Sequence, residues 1–327
     1  MDTRPLGTTG FDVSEIGLGT WQLGGDWGPV SDEDAFDAIE AALDAGITFL
    51  DTADVYGDGD SEQRIGSVLD DRDDDPVVAT KAGRRLDPHE AGRYTHENLE
   101  RFVDRSRTNL GVESLDLVQL HCPPRDVYYQ PEVFDALDEL RQSGKVDHYG
   151  VSVEKVEDAL KAIEYDGVET VQIIFNPLRQ RPAELFFREA QRRNVGVIVR
   201  VPLASGLLTG ALSADSEFGE DDHRNYNRDG EAFDVGETFA GIPFEDGLAA
   251  ADSLETIVPD GVSLAQFTLR WILSFDAVST IIPGSKTPAH IRDNVAAASL
   301  PPLSADQFQH VEEVYDTYAR DHVHHRW

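Results

Sequence analysis

Short runs of apolar and β-branched residues alternate with amphipathic stretches from about residue 15 to residue 299. Apolar runs of strand length bounded by turn residues fit buried strands, and apolar positions at i, i+3, i+4 and i+7 fit helices. Strands are therefore expected at Glu15–Trp21, 47–51, 77–81, 115–121, His148–Val153, Thr170–Asn176, Val195–Leu203 and Ala277–Gly284. Helices are expected near 32–45, 61–70, 95–110, 131–143, 154–164, 182–193, 262–273 and 288–298. Several carry a starting cap: Ser31 before Asp32, Thr95 with Asn98 three residues on, and Ser263 near the start of 262–273. Eight strands, each followed by a helix, point to a closed parallel (β/α)8 TIM barrel.

The rest of the pattern decorates that barrel. Arg4–Phe11, with Gly7 and Gly10, predicts an N-terminal β-hairpin closing the bottom. Residues 204–261 interrupt the repeat with a Gly/Asp-rich segment and one extra helix near 244–256, and a second extra helix follows residue 303. No stretch reads as a linker, so 1–327 is expected to form one domain. An open nucleotide-binding sheet is the rival. Gly17-Leu18-Gly19-Thr20-Trp21-Gln22 begins like a dinucleotide fingerprint, but its third glycine is missing and the next helix starts about ten residues later.

Composition narrows the setting. Forty per cent of residues are hydrophobic, enough for a large core, yet no apolar run is long enough to span a bilayer. Met1-Asp2-Thr3-Arg4-Pro5 has no secretory pattern, and a lone Cys122 fits a reducing compartment, so a cytoplasmic location is expected. With 62 acids against 28 bases the net charge is −34, which argues against nucleic-acid and membrane partners. Such self-repulsion is relieved at high salt, where the Debye length at about 1 M falls to roughly 3 Å. Only five of the 28 bases are lysine, and the acids are dispersed along the chain. That surface looks like a halophilic archaeon's; the other reading is an ordinary acidic protein.

Candidate chemistry gathers at strand ends. Asp51, Lys81 and His121 close three successive strands, and Tyr56 lies on the loop after the first of them. In a parallel barrel those ends share one mouth. Tyrosine has an ordinary pKa of about 10, too high for a ready acid at neutral pH. A nearby Lys81 ammonium is expected to lower it, with Asp51 keeping Lys81 charged and His121 bonding a substrate oxygen. Singly, each residue also reads as structural; their joint placement argues for a proton donor.

Several segments carry a resemblance to the aldo-keto reductases. They are Gly17–Trp21, Asp51-Thr52-Ala53-Asp54-Val55-Tyr56-Gly57, Thr80-Lys81, Leu120-His121, Gly150-Val151-Ser152, Val171-Gln172, Pro202–Gly210 and Ile282-Pro283-Gly284-Ser285. The resemblance runs in order over roughly residues 4–300 and implies a barrel that binds NADP(H), with NAD(H) the alternative cofactor. It makes Tyr56 the general acid/base, Lys81 and Asp51 its tuning pair, and His121 the substrate-orienting residue.

The same resemblance supplies cofactor residues. Ser152 and Gln172 match the positions that bond the nicotinamide carboxamide, although Val153 stands where many relatives have Asn. Arg200 occupies the place of an aromatic residue that stacks on the nicotinamide; a guanidinium plane can stack too, or serve as a plain salt-bridge partner. Ser285 and Lys286 precede a helix N-terminus and match the site of the adenosine 2′-phosphate, or simply cap that helix. Asp293 and Asn294 match adenosine contacts, with His290 where many NADP-preferring relatives have Arg. Further cofactor contacts are implied for Gly19, Thr20, Trp21, Asp51, Pro202, Leu203, Ser205 and Gly284.

Trp21, Trp27 and Tyr128, with Tyr129, are candidates for an apolar substrate wall around Tyr56 and His121, or for ordinary loop packing. The 212–243 stretch, with Phe218, Tyr226, Phe233 and Phe239, reads as a lid or a solvated insertion. No metal site is expected; His322, His324 and His325 read as a polar tail. The expectation is an enzyme transferring a hydride between NADP(H) and a small aldehyde, ketone or alcohol. The alternative is a cofactor-sensing regulatory subunit of the aldo-keto reductase-like type.

Overall fold

A computed structural model describes every residue of 1–327 except Asp26. Strands β1 (Thr3–Pro5) and β2 (Asp12–Ser14) form the antiparallel hairpin. Eight parallel strands follow: β3 (Leu18–Gly19), β4 (Phe49–Asp51), β5 (Val77–Ala82), β6 (Leu115–His121), β7 (Val146–Ser152), β8 (Val168–Ile174), β9 (Gly196–Arg200) and β10 (Val278–Ile281). Each pairs with its neighbours in chain order, and the bridges Ile16–Ile281 and Gly19–Gly284 join the last strand to the first. The result is a (β/α)8 barrel.

Helices α1 (Asp32–Asp44), α2 (Asp60–Asp70), α3 (His96–Leu110), α4 (Pro131–Gln142), α5 (Val156–Ala162) and α6 (Phe186–Arg193) follow β3 to β8 in turn. After β9 come the one-turn α7 (His223–Tyr226), then α8 (Phe244–Glu255) and α9 (Leu264–Leu273). Helix α10 (Pro288–Ala296) follows β10, and α11 (Ala305–Val314) and α12 (Arg320–Val323) close the order. α8 and α11 are the two extra helices. The expected caps form: Ser31 accepts from the Asp34 amide, Thr95 from Asn98, and Ser263 makes a reciprocal capping box with Gln266.

Side chains alternate along a strand, so residues of one parity share the barrel interior. The hairpin's Leu6 and Val13 plug the bottom against Phe49, Ala79, Leu117 and Ile198. Two residues further along the strands stand Asp51, Lys81, Gln119 and Arg200. The register pairs Lys81 with Gln119, His121 with Ser152, and Ser152 with Gln172. Parity therefore aims the predicted site residues into one mouth. Gly150 keeps that interior open, since an added Cβ would lie 2.1 Å from Thr170 Oγ1.

Some boundaries differ from expectation. The first strand shrinks to two residues, and β9 stops at Arg200 because Val201 turns to a positive φ of 49° and Pro202 has no amide to donate. The segment between β9 and α8 holds mostly single turns around α7, as its Gly/Asp content suggests. No helix among the described residues is long and apolar enough to cross a membrane.

Candidate active site

Asp51 and Lys81 are buried at the ends of β4 and β5, and Lys81 is only 1% exposed. Its Nζ donates to Asp51 Oδ2 at 2.6 Å, to the Thr52 carbonyl at 2.7 Å and to the Tyr56 hydroxyl at 3.3 Å. Asp51 Oδ1 accepts from Gln172 Nε2 at 2.6 Å and from Gln119 Nε2 at 3.5 Å. Tyr56 reaches this group from a tight turn in which Gly57, at φ 60°, lies against Gly24; a Cβ there would sit 2.6 Å from the Gly24 carbonyl oxygen. The His121 ring stands edge-on to Tyr56, with centroids 5.9 Å apart.

Burial works against the Lys81 ammonium, but Asp51 and Tyr56 outweigh it and raise its pKa. Burial also lifts the Asp51 carboxyl, against the pull of Lys81 and Gln172. His121 is held neutral, its pKa well below the usual range through burial and the cations of Arg84, Lys81 and Arg200. Tyr56 departs from expectation. Lys81 does pull its pKa down, but burial, aided by Asp51 and Glu237, wins and raises it. The phenol thus keeps its proton at neutral pH. Because Lys81 donates to the phenol oxygen, the phenol hydrogen is free to point at a substrate.

A cavity of about 570 Å³ opens from this group. Asp51, Tyr56, His121, Gln172 and Arg200 line one end, with Gly19 and Trp21. Pro202, Leu203, Ser205, Gly284, Ser285, Lys286, His290, Asp293 and Asn294 also line it. Val201, Ala204 and Ser205 all hold left-handed φ near 50°, a strain that concentrates at functional loops. Lys286 Nζ donates to the Trp27 carbonyl at 2.7 Å, and Ser285 Oγ accepts from the Thr287 amide at 3.1 Å. No side chain caps the start of α10 there.

Four predicted residues lie outside the lining. Lys81 acts from behind Tyr56. Thr20 is buried and donates its hydroxyl to the Asp51 carbonyl at 2.9 Å, so it steadies the strand end. Ser152 sits beneath Gln172, donating to its Oε1 at 3.4 Å. Tyr128 is corrected outright as a wall residue. The turn Arg125–Tyr129 rotates it into the core at 1% exposure and leaves Tyr129 63% exposed.

The aromatic wall comes instead from Trp21 and Trp27, which the insertion backs. Trp21 stacks on Tyr56 and meets Trp27, His223 and Phe233 with centroids 4.6–5.8 Å away. Trp27 also forms an antiparallel bridge with Asp222, so the insertion is tied across the mouth. Arg84, Glu154, His223 and Glu237 were missed by sequence reasoning. Nothing periodic marks them, although Phe233 stood out in the acidic stretch. Arg200 Nη2 pairs with Glu154 at 2.9 Å and its Nη1 with Glu237 at 3.5 Å; Arg84 bonds Glu237 as well. Cys122, Glu154 and Glu237 bring ligand-type atoms within 4.8 Å of one another, but the two guanidinium groups already meet those charges.

One buried acid stands apart. Neither carboxylate oxygen of Asp54 has a hydrogen-bond partner, and burial, with Glu62 beside it, pushes its pKa up to about 7. A raised carboxyl pKa favours the fold below the unfolded value near 4, and that contribution is lost as pH rises toward 7. Asp54→Asn is therefore expected to raise Tm by about 2–4 °C at about pH 8 and by less at about pH 5, as paired thermal melts would show.

Comparison with known proteins agrees with this fold. Residues 15–316 match the model of the Aldo/keto reductase family. An aldo-keto reductase from Bacillus subtilis is 30% identical over 301 residues, covering 89% of this chain and 87% of the relative. The holo form of an aldo-keto reductase from Bacillus halodurans matches with a TM-score of 0.77 at 27% identity, covering 96% of each chain. A glycerol dehydrogenase from Gluconobacter oxydans gives a TM-score of 0.77 at 28% identity, covering 97% of this chain and 96% of that one. The chain belongs to the aldo/keto reductase family and is an oxidoreductase of that class.

Proposed function

We propose that this enzyme reduces an aldehyde or ketone to an alcohol with NADP(H), or runs the reverse, with Tyr56 as the general acid/base. The observation that carries the reading is the contact chain Asp51–Lys81–Tyr56 beside a neutral His121 at the cavity's end. The cavity suits an anionic cofactor: it is lined by the Arg200 guanidinium and the Gln172 amide beside Tyr56, and by the Lys286 ammonium just before the uncapped start of α10. NADP(H), when bound, supplies or accepts the hydride.

The chain's own residues handle the oxygen. His121, neutral, bonds the substrate oxygen and holds it toward Tyr56. The phenol proton passes to that oxygen as charge builds on it, and Lys81 stabilises the phenolate left behind. In the reverse direction the phenolate takes the proton back. Trp21 and Trp27, backed by His223 and Phe233, give the substrate an aromatic wall.

Titration with NADPH and NADH by fluorescence, then turnover followed by nicotinamide absorbance over aldehydes, ketoses and steroids, tests the reading. Lys286→Met is expected to weaken NADPH by about tenfold to a hundredfold, the worth of a charged hydrogen bond, and to leave NADH unchanged. Equal loss for both cofactors would remove Lys286 from the 2′-phosphate site. Copurification with a larger partner and no turnover with any carbonyl would favour the regulatory-subunit reading instead. The acidic, lysine-poor surface supports a cytoplasmic protein of a salt-loving cell. Activity confined to molar KCl is the expected result, and full activity and stability in dilute buffer the contrary one.

A further inference from the structure

Trp327 lies beyond α12, yet it is 3% exposed and reaches the segment that carries Glu237. Its Nε1 donates to Asp234 Oδ1 at 2.9 Å, an oxygen that also accepts from the Gly236 amide at 2.7 Å. The indole lies so close to Gly236 and Gly241 that an added Cβ would come within 2.9 and 2.7 Å of it. The Arg179 guanidinium stands 3.9 Å from the ring centroid, and Arg179 Nη1 donates to the Ala240 carbonyl at 2.9 Å. Arg181 Nη1 holds the Trp327 carbonyl at 2.6 Å.

The segment held on that side meets the cavity on the other. Ser205 Oγ donates to the Glu237 carbonyl and accepts from the Phe239 amide, both at 3.2 Å. The Glu237 carboxylate is 5% exposed and faces Arg84 and Arg200. Arg200 Nη2 is fixed further by the Val153 carbonyl at 3.1 Å and by Glu154. The loop after β7 thus holds Arg200 through the Val153 carbonyl and the Glu154 carboxylate.

We propose that Trp327 and Glu237 are positioning residues for the nicotinamide: Trp327 props residues 234–241 so that Glu237 locks the Arg200 guanidinium across the hydride end of the cavity. The inference rests on the reading above, in which Arg200 faces the nicotinamide. It predicts that disturbing the prop acts on the nicotinamide half of the cofactor alone. Misplacement by about 1 Å through a residue distant from the chemistry can slow a reaction on the order of 10²-fold.

The test compares NADPH with 2′-phospho-ADP-ribose, which lacks the nicotinamide, in the full chain and in Glu237→Gln, Trp327→Ala, Trp327→Phe and Arg200→Met. Glu237→Gln and Trp327→Ala are expected to weaken NADPH roughly tenfold and slow single-turnover hydride transfer by about tenfold to a hundredfold, with fragment affinity unchanged. The double variant should be no worse than Glu237→Gln alone, because the two act in series. Trp327→Phe, which keeps one aromatic ring but loses the bond to Asp234 and part of the indole's packing, should fall between. Thermal melts in molar KCl identify a variant that merely unfolds, and Glu237→Gln then carries the test alone. If Arg200→Met leaves the ratio of NADPH to fragment affinity unchanged, the placement of Arg200 at the nicotinamide fails. If Arg200→Met shifts that ratio while Glu237→Gln does not, or if the double variant shows additive losses, the positioning role alone is overturned.

Discussion

Tyr56→Phe is expected to lower kcat by about 10²–10⁴-fold, the usual worth of a positioned acid, while NADPH affinity stays within a factor of about two. The substitution removes one oxygen. The ring keeps its stacking on Trp21 and its edge contact with His121, because neither uses the hydroxyl. Lys81 loses one acceptor at 3.3 Å but keeps Asp51 and the Thr52 carbonyl at 2.6 and 2.7 Å. The fold should therefore stand, and steady-state rates beside a fluorescence titration separate chemistry from binding. Retention of most activity would remove Tyr56 from the proton's path.

Lys81→Met is expected to cost both stability and rate. It leaves Asp51, 3% exposed, without its cation, and breaking a buried pair from one side typically costs about 3–5 kcal/mol. Adding Asp51→Asn should recover much of that loss, since an amide needs no counter-charge and can still accept from Gln172. Activity should not return with stability, because nothing then stabilises the Tyr56 phenolate. Denaturant titration of the two single variants and the double reads the first claim, and turnover reads the second. A double variant less stable than Lys81→Met would contradict the buried ion pair.

How much of this was legible beforehand follows from how local each signal is. Asp51, Lys81 and His121 could be read because each ends an apolar run, and strand parity then sends them to one mouth. Ser285 and Lys286 could be placed because they border a helix start, and Asn294 only through the resemblance. Glu237 and His223 could not. They sit in a segment without period, and they reach Arg200 and Trp21 only through long-range folding. Tyr128 and Tyr129 were indistinguishable in sequence; one short turn buries the first and exposes the second. The sign of the Tyr56 shift was misread for a related reason, since Lys81 is visible in the sequence whereas the loss of solvent around the phenol is not.

In the proposed reaction a protonated Tyr56, not His121, delivers the proton. The most direct measurement is the single-turnover rate of NADPH oxidation by a reducible carbonyl, followed across pH in molar KCl. With Tyr56 raised above its ordinary pKa and His121 neutral, the rate should stay flat through neutral pH and fall only above about 10. A rate that instead falls with rising pH below neutrality would mark the His121 imidazolium as the donor and overturn the role of Tyr56.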